Sequence, residues 1–496
     1  MNILMATSEA VPFSKTGGLA DVCGALPGAL AALGHKPALI LPAYRSSWCC
    51  GQAIEPMGID FIVPIGSKMV TGHLLQSTMP GGNVPVYLVQ QDQYFDRDGL
   101  YQADGKDYID NCERFVFFSR AVLEAIRLLD LRVDLLHVND WQTGLIPAYL
   151  KVEYHGIARY ENVASLLTIH NLAYQGQFWH WDMLLTGLDW KYFNWQQMEF
   201  HGYLNLLKTG IVFADSVNTV SPRYAQEIQS PTFGCGLEGT LQQRRGVLSG
   251  ILNGMDSSHW NPATDPNLPA NYTVETHAKG KAACKAALQD EVGLPRQPDV
   301  PLVGLIGRLC RQKGIDLIIE VMRQWAKDRE VQWVILGTGD QEYHQKLEEL
   351  AGRHPGKIAV RLAFSGPLAH QIEAGSDMFL MPSWYEPCGL NQMYSLAYGT
   401  VPVVRATGGL ADTIVDANEE TLQAGTANGF SFSDYSEMAL AESLRRACDA
   451  YADKKVWNQL IETGMRQDWS WKRSARQYLT LYAKTIERMK ETARAV

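Results

Sequence analysis

The sequence lacks the features that would place a chain in or across a membrane. It contains no uninterrupted apolar stretch of spanning length, and its amino terminus enters a strand-like run at once, without the basic segment and cleavage pattern of a secretory signal. Its nine cysteines are odd in number and scattered from Cys23 to Cys448, with no C-x-x-C pair to indicate zinc or redox chemistry. We therefore expect a soluble, cytoplasmic protein with reduced thiols and no membrane partner.

An excess of positive charge is also missing. The 44 lysines and arginines are outnumbered by 53 aspartates and glutamates, which gives a formal net charge of -9 at pH 7. Nucleic acid binding depends on a cationic field that neutralises phosphates. We therefore exclude nucleic acid as the main partner and expect a neutral polymer instead, with any bound phosphate held locally by a few cations and backbone amides.

The length and composition are those of a folded protein with two domains. Hydrophobic residues make up 46% of the 496 residues and charged residues 20%, and a chain of this length exceeds one ordinary core. Glycine-rich residues 244–254 and the proline- and asparagine-rich residues 261–271 are typical of a hinge or linker. We therefore predict one domain over residues 1–248 and a second over residues 249–473.

Short apolar runs alternate with amphipathic stretches along the whole chain, which is typical of βαβ units and parallel sheets. The predicted strands lie near Asn2–Ser8, Pro37–Leu41, Val84–Val89, Leu135–Val138, Ala164–Ile169, Ser216–Val220, Leu302–Ile306, Gln332–Leu336, Ile358–Ala363, Met378–Met381 and Val401–Val404. The fold class is therefore α/β, with two doubly wound, Rossmann-like domains that face one another across a deep cleft.

One hexapeptide, Thr-Gly-Gly-Leu-Ala-Asp, occurs at residues 16–21 and again, letter for letter, at residues 407–412. Each copy follows a strand and could open a helix, where paired glycines let the backbone approach a ligand and the helix N-terminus attracts an anion. The alternative is a turn and helix cap used twice. The candidate ligand-binding residues in the two copies are Gly17, Gly18, Asp21, Thr407 and Gly408.

Three cations stand at strand ends where a phosphate could bind. Lys15 precedes the first hexapeptide, although the order of residues is not that of a Walker A loop. Arg308 and Lys313 follow a strongly apolar strand and could stabilise a diphosphate as it leaves, since charge grows on its oxygens in the transition state. Solvated surface lysines and a charged loop remain the alternatives.

The segment at residues 383–390, Ser-Trp-Tyr-Glu-Pro-Cys-Gly-Leu, is the most informative part of the second half. It places Glu386 after an apolar strand, where a carboxylate can bind sugar hydroxyls or support a cationic transition state. An isolated Glu-Pro would favour a helix cap, but the adjoining Cys388, Gly389 and Leu390 favour a ligand site.

Polar residues also end two strands of the first half. Asp140 follows one, and His170 with Asn171 follows the next, so that His170 could bind a sugar hydroxyl or phosphate and Asp140 could orient an acceptor. A structural histidine is the alternative. Trp141 and Tyr94 could offer faces to sugar rings, and core packing is as good an interpretation for each.

Two further motifs are weak. Gly337-x-Gly339 lacks the third glycine of the dinucleotide fingerprint, and a tight turn explains it. Asp96-Arg97-Asp98 has the D-x-D order of a metal site but reads as a loop turn before Gly99. We predict neither a required metal nor a cofactor.

Seven segments in this order resemble bacterial glycogen synthases and their plant relatives, the starch synthases. They are KTGGLAD at 15–21, HNLAYQG at 170–176, LNGMD at 252–256, WNPATD at 260–265, GRL with QKG at 307–314, EPCGL at 386–390 and TGGLAD at 407–412. The resemblance runs from residue 2 to about residue 482. It implies the GT-B arrangement, with glucan mainly on the first domain, nucleotide mainly on the second, and a C-terminal helix, about residues 474–489, that returns to the first.

The resemblance also implies a reaction. Glucose passes from ADP-glucose to the non-reducing 4-hydroxyl of an α-1,4-glucan such as glycogen, with retention at the anomeric carbon and without a required protein nucleophile; a double displacement through Glu386 is the less favoured route. Carried over residue by residue, Lys15 contacts donor phosphate, Arg308 and Lys313 hold the leaving diphosphate, Glu386 lies beside the donor glucose, and His170 and Asp140 line the reaction centre.

Two residues depart from the family pattern, and two other functions stay open. Trp384 stands where relatives often carry arginine, and Asn391 where they frequently carry threonine. A related glucosyltransferase with a small acceptor, of the sucrose-phosphate or trehalose type, and a non-catalytic glucan-binding protein are the alternatives. The sequence does not distinguish ADP-glucose from UDP-glucose as donor.

Overall fold

The computed structural model describes residues 1–495, which form two compact α/β units. The first unit comprises Met1–Val220, Ala225–Gly254 and the chain from Trp471 onward. The second comprises Ser221–Tyr224 and Met255–Ser470. The chain therefore leaves the first unit after Gly254 and returns to it at Trp471. Within the described residues, no helix combines the length and the apolar character needed to cross a membrane.

The first unit is built on a nine-stranded sheet with the order β14-β13-β9-β8-β1-β2-β5-β4-β3. Its strands from β14 to β5 are parallel, and β5, β4 and β3 pair antiparallel. The strands of this unit are β1 (Asn2–Ala6), β2 (Lys36–Pro42), β3 (Glu55–Ile65), β4 (Lys68–Thr78), β5 (Pro85–Gln90), β6 (Gln102–Ala103), β7 (Lys106–Asp107), β8 (Leu135–Asn139), β9 (Ala164–Ile169), β10 (Gln177–Phe178), β11 (Glu199–Phe200), β12 (Tyr203–Asn205), β13 (Ser216–Thr219) and β14 (Leu248–Gly250).

The second unit is built on a six-stranded parallel sheet with the order β17-β16-β15-β18-β19-β20. Its strands are β15 (Leu302–Ile306), β16 (Gln332–Leu336), β17 (Ile358–Arg361), β18 (Met378–Met381), β19 (Val401–Arg405) and β20 (Phe430–Phe432). β16 and β18 are buried at every position, as expected of central strands covered on both faces. The prediction of parallel α/β sheets is confirmed in both units.

The helices cover the sheets and connect their strands. They are α1 (Gly18–Ala32), α2 (Asp92–Phe95), α3 (Asn111–Leu128), α4 (Ile146–Val152), α5 (Met183–Thr186), α6 (Leu206–Phe213), α7 (Pro222–Glu227), α8 (Glu238–Gln243), α9 (His277–Val292), α10 (Ile315–Asp328), α11 (Gln341–Arg353), α12 (Gly366–Gly375), α13 (Asn391–Ala397), α14 (Gly408–Thr413), α15 (Glu419–Gln423), α16 (Glu437–Ala452), α17 (Lys454–Met465) and α18 (Trp471–Ala495). In α10 the stripe of Ile315, Ile318, Ile319 and Met322 is buried, as the helical spacing predicts.

The hairpin of β3 and β4 is missing from the sequence prediction. Its two strands pair antiparallel over most of their length, and in β3 buried residues such as Phe61 and Val63 alternate with exposed ones. An edge hairpin with one solvated face carries polar residues at every second position. The continuous apolar runs that mark parallel strands are therefore absent there.

A buried polar contact holds α18 on the sheet of the first unit. His137 at β8 contacts the hydroxyl of Tyr482 through Nδ1 at 2.9 Å and the hydroxyl of Thr168 through Nε2 at 2.7 Å. Tyr478 lies against the same imidazole with 5.6 Å between ring centroids. Burial lowers the pKa of His137 to about 3, with the nearby His170 as a further cause, so the ring is neutral in the folded protein.

We predict that this histidine makes the first unit sensitive to acid. The pKa of His137 falls from 6.5 in the unfolded chain to about 3 in the folded one, so stability is lost as pH drops from 6.5 toward 3. His137→Asn should lower the stability at pH 7 and reduce the slope below pH 6 by roughly 1.4 kcal/mol per pH unit.

Urea unfolding at pH 7, 6 and 5 measures that slope. The exposed His155 gives the matched control, and His155→Asn should keep the slope of the parent protein. An unchanged slope in His137→Asn would show that this imidazole already takes up a proton in the folded state.

Candidate active site

In the second unit, the loops that carry the predicted donor residues meet where the strand order reverses. The chain runs from β15 outward to β17 on one side of the sheet and from β18 to β20 on the other, so β15 and β18 are adjacent strands whose following loops diverge. Open α/β sheets bind ligands at this point, at the carboxyl ends of the strands. Arg308 and Lys313 lie in the loop after β15, and Glu386 lies in the loop after β18.

Lys313 and Glu386 form an ion pair across this point of reversal. The ammonium Nζ of Lys313 donates to Oε2 of Glu386 at 2.5 Å, and the hydroxyl of Ser383 donates to the same oxygen at 3.1 Å. The carboxylate is buried, whereas the lysine keeps part of its side chain in solvent. A buried carboxylate without a partner would be strongly destabilising, so the pair fixes both side chains in one arrangement.

Arg308 lies at the same edge of the sheet, with its side chain exposed to solvent. Its guanidinium donates to the side-chain oxygen of Gln312 at 3.2 Å. Gln312 in turn joins the two loops, because its backbone oxygen accepts from the amide of Trp384 at 2.8 Å. The structure thus brings Arg308, Lys313 and Glu386 to one edge of the sheet, as the sequence predicts.

The second copy of the hexapeptide packs directly beneath Glu386. A Cβ at Gly408, where φ is 46°, would lie 1.9 Å from the backbone oxygen of Glu386, and one at Gly409 would lie 2.0 Å from the backbone oxygen of Cys388. The amide of Gly409 also donates to the Glu386 oxygen at 3.1 Å. In this copy the glycines therefore permit close packing within the chain, and ligand binding at Thr407 and Gly408 stays a prediction. Thr407 is buried and belongs to this support.

Cys388, Gly389 and Leu390 connect Glu386 to α13. The Cys388 side chain is buried, while Gly389 and Leu390 are partly exposed. Gly389 has a φ of 69°, a left-handed conformation that favours glycine. Asn391, one of the two departures from the family pattern, donates from Nδ2 to the backbone oxygen of Ile306 at 2.8 Å and so ties α13 to the end of β15.

Trp384, the other departure, is a half-exposed ring at this edge. Tyr435 meets it edge-on, with 4.8 Å between centroids, and the Arg405 guanidinium lies 5.5 Å from its ring centre. Arg405 also donates to the backbone oxygen of Trp384 at 2.6 Å. The contacts with Tyr435 and Arg405 therefore hold the Trp384 side chain in place.

In the first unit, Asp140 and His170 are held together at the ends of β8 and β9. The amide of His170 donates to Oδ1 of Asp140 at 2.7 Å, and Nε2 of His170 lies 2.9 Å from Oδ1 of Asn139. Since that oxygen can only accept, Nε2 carries the proton. Asp140 adopts a φ of 55°, an uncommon conformation for a residue other than glycine.

Burial shifts the pKa of both groups toward their neutral forms. It raises the pKa of Asp140 to about 7, against the hydrogen bond from the His170 amide and with a contribution from the charge of Glu9. It lowers the pKa of His170 to about 3. At neutral pH His170 is therefore an uncharged hydrogen-bonding group, and Asp140 titrates close to that pH.

The loop of the first hexapeptide lies after β1, which is adjacent to β8 at the point where this strand order reverses. Lys15 forms an ion pair with Asp21 at 2.7 Å, with both side chains partly in solvent. A Cβ at Gly17 or Gly18 would meet nothing within 4 Å. In contrast to the second copy, these two glycines therefore border open space.

Glu9 fixes this loop, and the sequence prediction missed it. Its buried carboxylate accepts from the Thr16 amide at 2.5 Å, the Thr16 hydroxyl at 2.6 Å and the Gly17 amide at 3.3 Å. The hydroxyl of Tyr101 donates to it at 2.7 Å. The signal was present, because Glu9 is a carboxylate just beyond the end of β1, in the same kind of position as Asp140 after β8.

Of the two aromatic candidates, Tyr94 belongs to the core. Its ring is buried against Phe117, with 5.3 Å between centroids, and its hydroxyl donates to Oε1 of Glu113 at 2.5 Å. Trp141 is also buried, with Phe115 at 4.9 Å and with Gly176 pressed on its six-membered ring. The core interpretation therefore describes both rings. Asn171 stays partly exposed, and its side chain accepts from the Ala173 amide at 3.0 Å.

Phe364 is a second residue that the sequence prediction missed. Its ring is 95% exposed, and it follows β17 at the same edge of the second unit as Arg308 and Glu386. A phenylalanine with this exposure leaves an apolar aromatic face uncovered at the carboxyl end of the strand. A single aromatic residue in a loop carries no pattern in the sequence, so only its exposure identifies it.

The two weak motifs are accounted for by contacts within the chain. A Cβ at Gly337 would lie 1.9 Å from the Gly307 oxygen and one at Gly339 would lie 2.2 Å from the Leu309 oxygen, so this G-x-G forms the tight turn that the sequence predicts. Arg45 donates to Asp96 at 2.7 Å and to Asp98, so both carboxylates of the D-x-D are engaged by one guanidinium.

Comparison with known families assigns each part of the chain to a glycosyltransferase domain. Residues 2–243 match the model of the starch synthase catalytic domain, and residues 289–464 match that of the glycosyl transferases group 1. The chain is 50% identical to the glycogen synthase of Rhodopirellula baltica, with 98% of each chain covered. It is 47% identical to that of Syntrophotalea carbinolica, with 98% of this chain and 99% of the relative covered.

Two solved structures are similar to this chain along nearly its full length. The catalytic domain of starch synthase IV from Arabidopsis thaliana, bound to ADP and acarbose, has a TM-score of 0.87 at 32% identity and covers 98% of this chain and 99% of its own. A sucrose-phosphate synthase from Thermosynechococcus elongatus has a TM-score of 0.57 at 17% identity, covers 97% of this chain and 98% of its own, and so shows the fold alone. Identity near one half along nearly the full length of curated glycogen synthases shows that the chain belongs to the glycogen synthase family of glycosyltransferases.

Proposed function

We propose that the chain elongates glycogen by transferring glucose from ADP-glucose to the non-reducing 4-hydroxyl of an α-1,4-glucan, with retention at the anomeric carbon. Curated relatives named glycogen synthase and the likeness to a starch synthase structure that holds ADP and acarbose support the reaction. The observation that carries the proposal is the Lys313–Glu386 pair where the strand order of the second unit reverses.

In the proposed reaction one bond replaces another on the same face of the sugar. The bond between the anomeric carbon and the diphosphate oxygen breaks, and a bond to the acceptor 4-oxygen forms. The acceptor proton passes to the leaving diphosphate, so no protein nucleophile is needed. The chain contributes positioning and charge stabilisation, which are the usual sources of catalysis when the protein forms no covalent bond.

Different parts of the donor would be bound by Lys313, Arg308 and Glu386. Lys313 and the exposed Arg308 supply positive charge for the diphosphate, whose negative charge grows as it leaves. Both hydrogen bonds to Glu386, from Lys313 and Ser383, end on Oε2, which orients Oε1 for a hydroxyl of the donor glucose. Gly389 and Leu390 contribute backbone groups beside it.

The first unit would supply the acceptor side. Neutral His170 can hydrogen-bond a sugar hydroxyl without adding charge, and Asp140, with its pKa near 7, is placed to orient the acceptor. Lys15 is our candidate for a contact to donor phosphate, with open space beside Gly17 and Gly18 for a ligand. We assign glucan mainly to the first unit and nucleotide mainly to the second. We place the protein in the cytoplasm, consistent with nine cysteines that form no disulfide within the described residues.

Phe364 is our candidate for the nucleobase. Its exposed ring offers an apolar face at the sheet edge that carries Arg308 and Lys313, the proposed diphosphate-binding residues. Stacking of a base on an aromatic ring contributes about 1–3 kcal/mol to binding. Stacking alone discriminates only weakly between adenine and uracil. The proposed preference for ADP-glucose therefore rests on the similarity to the glycogen synthase family.

We expect the purified protein to release ADP and lengthen glycogen when given ADP-glucose without added metal. Chain growth is measured by incorporation of labelled glucose, with UDP-glucose in a parallel reaction. Faster growth with ADP-glucose supports the donor assignment. Growth only with a small sugar acceptor would contradict the glucan assignment and leave the fold untouched.

Glu386→Ala and Lys313→Ala should each lower turnover by on the order of 100- to 1000-fold, because each removes a preorganised charge from the site. Thermal unfolding of the same variants separates loss of function from loss of fold. Lys346→Ala breaks an exposed Lys–Glu pair of the same unit and serves as the matched control, with turnover close to the parent. A near-normal rate in either site variant removes that residue from the catalytic set.

Phe364→Ala should raise the KM for ADP-glucose about tenfold and leave kcat nearly unchanged, since the ring contributes stacking to the bound donor. Phe364→Tyr keeps the ring and should retain the parent KM. Met438, which is also highly exposed in the second unit, provides the control Met438→Ala. Equal KM values for the parent and Phe364→Ala would place the base elsewhere.

A further inference from the structure

Three side chains of the second unit join the loops around the proposed donor residues, and the proposed reaction does not use them. Trp384 lies in the loop after β18, Arg405 ends β19, and Tyr435 lies in the loop after β20. We call these three residues the loop clamp. The Trp384 side chain is 39% exposed, and the Tyr435 ring packs, partly buried, against the core of the second unit. The loop clamp therefore lies beside the loop after β15, which carries Arg308 and Lys313.

The members of the loop clamp hold one another in place. The guanidinium carbon of Arg405 lies 5.5 Å from the centre of the Trp384 ring and 5.7 Å from that of Tyr435, within the range of cation–π attraction. Its Nε donates to the backbone oxygen of Ser433 at 2.9 Å, and its Nη1 donates to that of Trp384 at 2.6 Å. One guanidinium thus bonds to the loops after β18 and β20 and fixes the two rings between them.

Tyr435 reaches from the loop clamp to the loop after β15. Its hydroxyl donates to Oδ1 of Asp316 at 2.7 Å and lies 3.2 Å from the backbone oxygen of Arg311. That oxygen also accepts from the Gly314 amide at 2.9 Å and so closes the turn that contains Lys313. Burial raises the pKa of Tyr435, and the hydrogen bond to Asp316 raises it further, so the hydroxyl keeps its proton. The hydroxyl therefore contacts the chain on both sides of Lys313.

Trp384 reaches the same loop through Gln312. The Trp384 amide donates to the backbone oxygen of Gln312 at 2.8 Å, and Nε2 of Gln312 donates to the backbone oxygen of Tyr385 at 3.4 Å. The other side-chain atom of this glutamine, Oε1, accepts from the Arg308 guanidinium at 3.2 Å. The loop clamp thus supports both proposed diphosphate cations, Arg308 through the glutamine and Lys313 through its turn.

The two cations need this support because both extend into solvent. Arg308 is exposed, and the Lys313 side chain keeps 26% of its surface accessible. A cation stabilises the growing charge of a leaving group best when its position is set before the reaction. A misplacement of about 1 Å can cost on the order of 100-fold in rate. Trp384, one of the two departures from the family pattern, therefore adds packing rather than charge at this edge.

We propose that Tyr435 is a positioning residue for glucosyl transfer. Its hydroxyl, backed by Trp384 and Arg405, holds the loop after β15 in the arrangement that places Arg308 and Lys313 at the leaving diphosphate. The proposal rests on the transfer reaction assigned above. Tyr435 acts through the two cations, so its loss affects the donor side of the reaction and leaves acceptor binding unchanged.

Tyr435→Phe tests the proposal, since it removes the hydroxyl and keeps the ring beside Trp384. Its kcat should fall about tenfold, because the loop that carries Lys313 loses its contact on both sides. Its Kd for ADP, measured by calorimetry without acceptor, should rise about tenfold, since ADP carries the charge of the leaving diphosphate. Its KM for glycogen should equal that of the parent.

Tyr451→Phe is the matched control. Tyr451 is buried in the same unit, and its hydroxyl donates to the backbone oxygen of Pro298 at 3.1 Å. Pro298 precedes β15, so this contact lies at the amino ends of the strands, opposite the proposed site. Removal of the Tyr451 hydroxyl should leave kcat and the Kd for ADP at the values of the parent.

Variants of Trp384 test whether the loop clamp acts as a unit. Trp384→Phe keeps an aromatic ring against Tyr435 and should retain kcat within about twofold of the parent. Trp384→Ala should lower kcat. The double variant Trp384→Ala/Tyr435→Phe should lose no more activity than the slower of its two single variants, because both changes release the same loop.

A kcat and a Kd for ADP equal to those of the parent in Tyr435→Phe, with thermal unfolding intact, overturn the proposal. An equal loss of kcat in Tyr451→Phe also overturns it, since the effect would then be one of general stability. A parent protein that binds ADP and transfers no glucose contradicts the transfer proposal alone. The Kd for ADP in Tyr435→Phe then still decides whether this hydroxyl positions the cations.

Discussion

The structure depends on one constraint: polar groups buried at the carboxyl ends of parallel strands must find partners, because each unsatisfied one costs roughly 1–3 kcal/mol. Glu9 meets it with the Thr16 and Gly17 amides, Asp140 with the His170 amide, and Glu386 with Lys313 and Ser383. These bonds orient the side chains before any ligand arrives. Two of these groups, Asp140 and Glu386, are also ones that we propose to meet the substrate.

Sequence patterns predict the strands correctly where nearly every position of the strand is buried. Runs such as Leu302–Ile306 and Ala164–Ile169 are apolar at almost every position, and the strands begin and end as predicted. Cations and carboxylates just after these runs were found for the same reason. The β3–β4 hairpin and the short β20 escaped, since an edge strand alternates and a three-residue strand gives too little pattern.

What the sequence left undetermined are the contacts between distant segments. Identical hexapeptides surround Gly17 and Gly408, yet one pair of glycines borders open space and the other is packed against the backbone of Glu386 and Cys388. Tyr94 and Phe364 show the same difficulty, because nothing in their neighbours along the chain tells that one ring is buried and the other almost wholly exposed. Such distinctions are set by tertiary packing.

The return of the chain to the first unit bears on how the protein is made. The core of the first unit places Trp471, Tyr478 and Tyr482 of α18 beside Ile3, Leu26 and Leu39. The ribosome nevertheless synthesises α18 only after the whole second unit. The sheet of the first unit therefore emerges long before the helix that completes its hydrophobic face. The second unit consists of Met255–Ser470 and the short segment Ser221–Tyr224. All of it is therefore synthesised before α18 can complete the core of the first unit. A nascent chain that stalls before residue 471 leaves an open apolar surface for chaperones to recognise.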